Sequence, residues 1–186
     1  MRELPRPEFL TPPVRVDGPI MLAKADPAWA GQFAREEKRI RTALGSRSLQ
    51  VEHVGSTSVP GLAAKPIIDI LLVVADTADE AAYLPDLEAA GYVLHARDFV
   101  PTEHRLLIDH NPDVHVHVLT IGDPEVARML IFRHRLRSDL DDRDLYERTK
   151  RDLAALHWAY VQDYADAKSD VVEEIIARAR QDQQTV

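Results

Sequence analysis

The stretch Val51-Glu52-His53-Val54-Gly55-Ser56-Thr57-Ser58-Val59-Pro60-Gly61-Leu62-Ala63-Ala64-Lys65-Pro66-Ile67-Ile68-Asp69-Ile70 joins two apolar runs through a Gly-Ser turn and a short Pro/Gly-rich connection. The run before Gly55 is short enough for a strand. The run that begins at Pro66 and continues to Val74 is rich in β-branched residues and apolar on both faces, which predicts a central strand covered on both sides. Gly55 lets the backbone approach a ligand closely, and the Ser56 and Thr57 hydroxyls with the neighbouring N–H groups are donors suited to phosphate oxygens. Asp69 interrupts the apolar run. An ionised carboxylate is costly to bury without a metal, a cation or hydrogen-bond donors, so Asp69 is the first candidate functional residue. A structural reading uses the same residues: Asp69 would cap a turn or pair with Lys65, and Ser56 and Thr57 would form a tight turn.

Composition narrows the function classes. At 186 residues the chain suits one well-packed domain and is short for two. We read residues 1–16, with Pro5, Pro7, Pro12 and Pro13, as an extended or mobile arm and 17–186 as a single domain. No apolar run is long enough to span a bilayer and the N-terminus lacks the apolar core of a signal peptide, so the expected location is cytoplasmic. With no cysteine there is no disulfide, iron–sulfur or thiolate zinc chemistry, and a metal would be held by His, Asp or Glu. A formal net charge of −8 argues against broad attachment to nucleic acid or anionic lipid and points to a small-molecule partner.

Periodicity and breakers then order the elements. An edge strand is expected over 20–25. Asp26 and Pro27 open a helix that Gly45 closes. Strands follow at 48–54 and 67–74, a helix at 78–90 and a short strand at 92–95. A hairpin is expected from strands at 105–109 and 114–121. Helices are expected at 125–138, 142–164 and 168–182, so the fold class is α/β (α+β), a mixed sheet flanked by helices with a helical C-terminal third. Alternation in Asp113-Val114-His115-Val116-His117 places Asp113, His115 and His117 on one strand face. If that face looks toward Asp69, a carboxylate and two imidazoles converge, a set suited to Mn²⁺, Zn²⁺ or Fe²⁺. Alternating His and Val also suits the polar face of an exposed or edge strand. Among the cations, Lys65 stands out by its place between the Gly-Ser turn and Asp69, while Arg133 and Arg137 share a helical face.

The string from Glu52 to Ile70 resembles the GrpB family, bacterial proteins similar to the nucleotidyltransferases of the DNA polymerase beta superfamily. Asp26-Pro27-Ala28-Trp29, His115-Val116-His117-Val118 and Ile131-Phe132-Arg133-His134-Arg135-Leu136-Arg137 look like further landmarks of that family. The resemblance implies a nucleotidyltransferase-like fold and binding of a nucleotide or phosphorylated metabolite with a divalent metal, Mg²⁺, Mn²⁺ or Zn²⁺. It implies transfer of a nucleoside monophosphate to a hydroxyl or amine, with Asp69 and His117 as catalytic residues. Asp69, His115 and His117 would hold the metal, and Gly55, Ser56, Thr57, Lys65 and Arg133 the phosphate. Enzymes of that superfamily carry two acids two residues apart on a strand, and here the second position is Leu71. That departure leaves two alternatives: a non-catalytic ligand-binding or interaction module, and a His-based metal-dependent hydrolase. The Gly55-Ser56-Thr57-Ser58 string matches neither a nucleophile elbow nor a P-loop.

Overall fold

The computed structural model of the chain describes residues 8–98, 103–111 and 113–184. Eight strands lie at Glu8–Phe9 (β1), Arg15–Gly18 (β2), Gln50–Val54 (β3), Ile68–Val74 (β4), Val93–Asp98 (β5), His104–His110 (β6), Asp113–Thr120 (β7) and Trp158–Tyr160 (β8). Six helices lie at Ala28–Leu44 (α1), Leu84–Ala89 (α2), Pro124–Ser138 (α3), Leu140–Ala154 (α4), Val161–Asp166 (α5) and Ser169–Gln184 (α6). The main sheet runs β1-β5-β6-β7-β4-β3, with β4 and β7 parallel and the other neighbours antiparallel. Among the described residues no helix is long and apolar enough to cross a membrane.

β4 is interior, as its two apolar faces require. Ile68, Ile70, Leu72 and Val74 pack with Val114, Val116 and Val118 of β7 against Trp29, Ile40 and Leu44 of α1 and Leu87 of α2. On the other face Leu71, Val73 and Leu119 meet Val126, Met129 and Leu130 of α3. Each such fully buried aliphatic side chain contributes about 1.5–3 kcal/mol. A third cluster seats Val59 and Leu62, in the connection between β3 and β4, under Leu136 of α3, Tyr146 of α4 and Val171 and Ile175 of α6. The helical C-terminal third therefore covers the Asp69 side of the sheet and clamps the Gly-Ser turn against it.

The structure departs from the sequence expectations at four places. The single helix expected at 142–164 is broken: α4 ends at Ala154, β8 pairs with β2, and α5 restarts at Val161. Trp158 Nε1 donates to the Leu153 carbonyl at 2.7 Å and Asp163 accepts from the Tyr160 N–H at 3.1 Å, closing one helix and opening the next. The expected arm is tied down where it is described, by β1 against β5 and β2 against β8, and the boundary after residue 16 falls inside β2; residues 1–7 lie outside the described residues. Over 20–25 there is one antiparallel bridge, Ala23 to Ala64, in place of a strand. The 78–90 segment divides into a 3₁₀ turn, Glu80–Ala82, and α2, with Pro85 in the first turn of the helix.

Candidate functional site

The parallel pairing of β4 with β7 sets Asp69 opposite His115 and Leu71 opposite His117. Asp69 Oδ1 lies 3.7 Å from His115 Nδ1 and 3.6 Å from His117 Nε2. One ligand atom from each of the three residues lies within 4.8 Å of the others. These separations exceed hydrogen-bond length. They approach the roughly 3.4 Å between two donors that share a tetrahedral ion at about 2.1 Å. Burial pushes the His115 pKa down to about 4, so its imidazole is neutral and retains a lone pair at neutral pH. Burial opposes ionisation of Asp69, but His117, His115 and Lys65 outweigh it and hold the carboxyl below its usual range. Asp113 sits at the hairpin, exposed and beside His110, away from this cluster.

Gly55 brings the preceding turn onto the carboxylate. Its φ is 66° and ψ −174°, a region essentially reserved for glycine, and a Cβ there would lie 2.8 Å from Asp69 Cβ and Cγ. The next residue, Ser56, accepts a hydrogen bond from Lys150 Nζ at 3.2 Å, and Lys150 also donates to the Ala63 carbonyl. Lys150 is only 2% exposed.

A cavity of about 330 Å³ opens beside the triad, lined by Ser56, Lys65, Asp69, His115, His117, Lys150 and Lys168, with apolar walls from Phe9, Ile67, Leu106 and Val161. A second, about 240 Å³, shares Ser56, Asp69, His117 and Lys168 and reaches Gly55, Phe132 and Tyr146. The ammonium groups of Lys65 and Lys168 stand 5.7 and 4.5 Å from the Tyr164 ring centre, and that of Lys150 stands 4.9 Å from Tyr146. Burial lowers all three lysines, Lys150 to about 7, where Lys168 adds repulsion, and Lys168 to about 8, where Lys65 does so. Three crowded ammonium groups outnumber the two carboxylates of the larger cavity, Asp69 and Asp98. An anion would relieve the repulsion among them.

The structure thus brings together Gly55, Ser56, Lys65, Asp69, His115 and His117. It assigns two expected phosphate ligands to the scaffold instead. Thr57 Oγ1 is buried, donates to the Ile67 carbonyl at 2.9 Å and accepts from His53 Nε2 at 3.0 Å. Arg133, 7% exposed, donates to Glu52 and to the His53 carbonyl at 2.8 Å each, and lines neither cavity of the site. Arg137 holds the Ser58 carbonyl, so these arginines brace α3 against the β3 turn. Leu71 points to the same face as Asp69, but α3 seals its position at 0% exposure.

Sequence reasoning missed Lys150, Lys168, Asp98 and His104. Lys150 had a signal, because it falls with Asp142, Tyr146 and Ala154 on the buried i, i+4 stripe of α4, where a lysine is unusual. Lys168 lies in the turn between α5 and α6, which carries no periodicity. His104 starts β6 one residue before the expected strand and reaches His117, with Asp98 behind it.

The GrpB protein family model matches residues 19–178. The UPF0157 protein BH1888 of Halalkalibacterium halodurans is 56% identical over 160 residues, which cover 86% of this chain and 82% of that protein. The UPF0157 protein SCO7215 of Streptomyces coelicolor is 48% identical over 178 residues, 94% of this chain and 93% of its own. The crystal structure of the conserved protein GrpB from Enterococcus faecalis superposes with a TM-score of 0.77 at 31% identity, covering 88% of this chain and 99% of that one.

Proposed function

The chain belongs to the GrpB family, and from that premise we propose that it binds a divalent metal ion together with a phosphorylated small molecule, a nucleotide foremost, on a nucleotidyltransferase-like fold. The observation that carries this reading is the meeting, in one cavity, of the Asp69, His115 and His117 donor set with Lys65, Lys150 and Lys168. One carboxylate and two imidazoles fit a single borderline ion, Mn²⁺, Fe²⁺ or Zn²⁺, better than Mg²⁺. A pair of metal ions bridged by two strand carboxylates does not fit, because the second position is Leu71 under α3. A bound ion would polarise a phosphoryl oxygen as a Lewis acid.

The residues of the chain do the rest. Lys65 and Lys168 neutralise phosphate charge from the walls. Ser56, held by Lys150, and the backbone at Gly55 orient the phosphate. Asp69 and His117 face both cavities, so a donor phosphate in one and an acceptor hydroxyl or amine in the other would meet at the triad. Transfer of a nucleoside monophosphate is the reaction this arrangement serves. The sealed Leu71 favours a second reading, a binding module on the same pocket without transfer chemistry. Calorimetric titration of nucleoside triphosphates with and without Mn²⁺, followed by a pyrophosphate-release assay over a panel of small acceptors, separates them. Metal-dependent binding with pyrophosphate release supports transfer, binding without release supports the module, and no binding overturns both.

A further inference from the structure

Behind His117 stands a line of groups that the proposed reaction leaves unused. β5 and β6 pair so that Asp98 is opposite His104. Asp98 Oδ2 is 2.9 Å from His104 Nδ1, and His104 Nε2 is 3.1 Å from His117 Nδ1. The two imidazoles lie nearly parallel, edge to edge, with centres 5.2 Å apart and planes inclined by 15°. On its other side His117 presents Nε2 to Asp69 Oδ1 at 3.6 Å.

Donor and acceptor counting orders the protons along this line. An ionised carboxylate only accepts, so Asp98 fixes the proton of neutral His104 on Nδ1. His104 Nε2 is then a lone pair, and the group that meets it at 3.1 Å must be an N–H. A neutral His117 therefore carries its proton on Nδ1, and its Nε2 lone pair then faces the carboxylate of Asp69. Two acceptors facing each other need a cation between them, a proton or a metal ion. The other tautomer would aim Nε2–H at Asp69, satisfy the carboxylate and remove the metal ligand.

We propose that Asp98 and His104 are positioning residues that lock His117 in its Nδ1–H tautomer and so dedicate Nε2 to a metal ion shared with Asp69. This rests on the metal site proposed above, but the tautomer itself is a property of the protein without metal. The arrangement has the logic of an outer-shell partner that orients a ligating histidine, whose loss commonly weakens metal affinity 10–100-fold.

Long-range ¹H–¹⁵N correlation spectra of the metal-free protein, assigned with His117→Gln, read the tautomer directly. Zn²⁺ and Mn²⁺ affinities by calorimetry then read its consequence. At a pH where the imidazole is neutral, the wild type is expected to show a protonated Nδ1 and an unprotonated Nε2 at His117. His104→Leu should mix the tautomers and weaken metal binding about 10–100-fold. His104→Gln, whose Oε1 still accepts from Nδ1–H, should restore most of both. A purely structural role would lower the melting temperature of both variants without separating them by tautomer or affinity. A neutral His117 protonated on Nε2 in the wild type would overturn the proposal, as would equal affinities in the Leu and Gln variants. A protonated Nδ1 in a protein that takes up no metal would uphold the lock and overturn the metal reading.

Discussion

Gly55→Ala is the substitution whose cost the structure lets one work out. At φ 66° and ψ −174° a residue with a Cβ gives up about 1–3 kcal/mol of backbone energy. The added methyl would also sit 2.8 Å from Asp69 Cβ and Cγ, on a β4 residue that cannot retreat through the packed sheet. Forced overpacking of this kind costs a further 1–3 kcal/mol or so. The sum, about 2–6 kcal/mol, is a large part of the roughly 5–15 kcal/mol that holds a domain of this kind together. Gly61→Ala is the matched control. Its φ is 82°, but nothing lies within 4 Å of a Cβ there, so only the backbone component applies. Urea denaturation of the two variants should therefore place Gly55→Ala at least about 1 kcal/mol below Gly61→Ala. Zn²⁺ affinity should fall in Gly55→Ala alone, because the carboxylate must move. Equal stabilities, or unchanged metal affinity in Gly55→Ala, would refute the claim that the turn is pressed against Asp69.

Lys150 has a folded pKa of about 7 against 10.5 for a free lysine, so above pH 7 the unfolded chain binds the extra proton and stability rises with pH. Relative to Lys150→Met, the wild type should gain up to about 1.4 kcal/mol per pH unit between pH 7 and 9, measured by urea denaturation. Over the same window tripolyphosphate affinity should fall, since Lys150 and then Lys168 lose the charge that binds it, and an affinity flat to pH 9 would contradict that role. Arg133→Ala should lower stability by about 1–3 kcal/mol, because Glu52 and the His53 carbonyl lose a charged donor, with tripolyphosphate affinity unchanged by calorimetry. Leu71→Asp should destabilise by more than about 3 kcal/mol under α3 rather than restore a second metal-binding acid, as thermal melts with and without Mn²⁺ would report.

Much of the site was legible because burial exposes exceptions. Asp69 stood out as an acid in a strand apolar on both faces, and the His-Val alternation of β7 placed His115 and His117 on one side. Their convergence on Asp69 required the parallel β4–β7 pairing, which no local pattern specifies. The break between α4 and α5 was hidden for the same reason, since the β2 partner of β8 comes from the other end of the chain. Arg133 looked like a phosphate ligand because side-chain type is visible in a sequence and hydrogen-bond partner is not. Lys150 was readable as a lysine on a buried stripe, whereas its approach to Ser56 depends on how α4 crosses the Gly-Ser turn.

Whether metal and phosphate meet at Asp69 is read by a thermal-shift matrix. ATP and tripolyphosphate would be titrated against Mn²⁺, Zn²⁺ and Mg²⁺ on the wild type and Asp69→Asn. A ligand at one hundred times its dissociation constant adds about 2.7 kcal/mol, which a melt resolves. Metal and phosphate together should stabilise the wild type by more than the sum of their separate effects, and this excess should disappear in Asp69→Asn. No shift with any combination in a cooperatively melting protein, or an equal shift in Asp69→Asn, would contradict a meeting of metal and phosphate at Asp69.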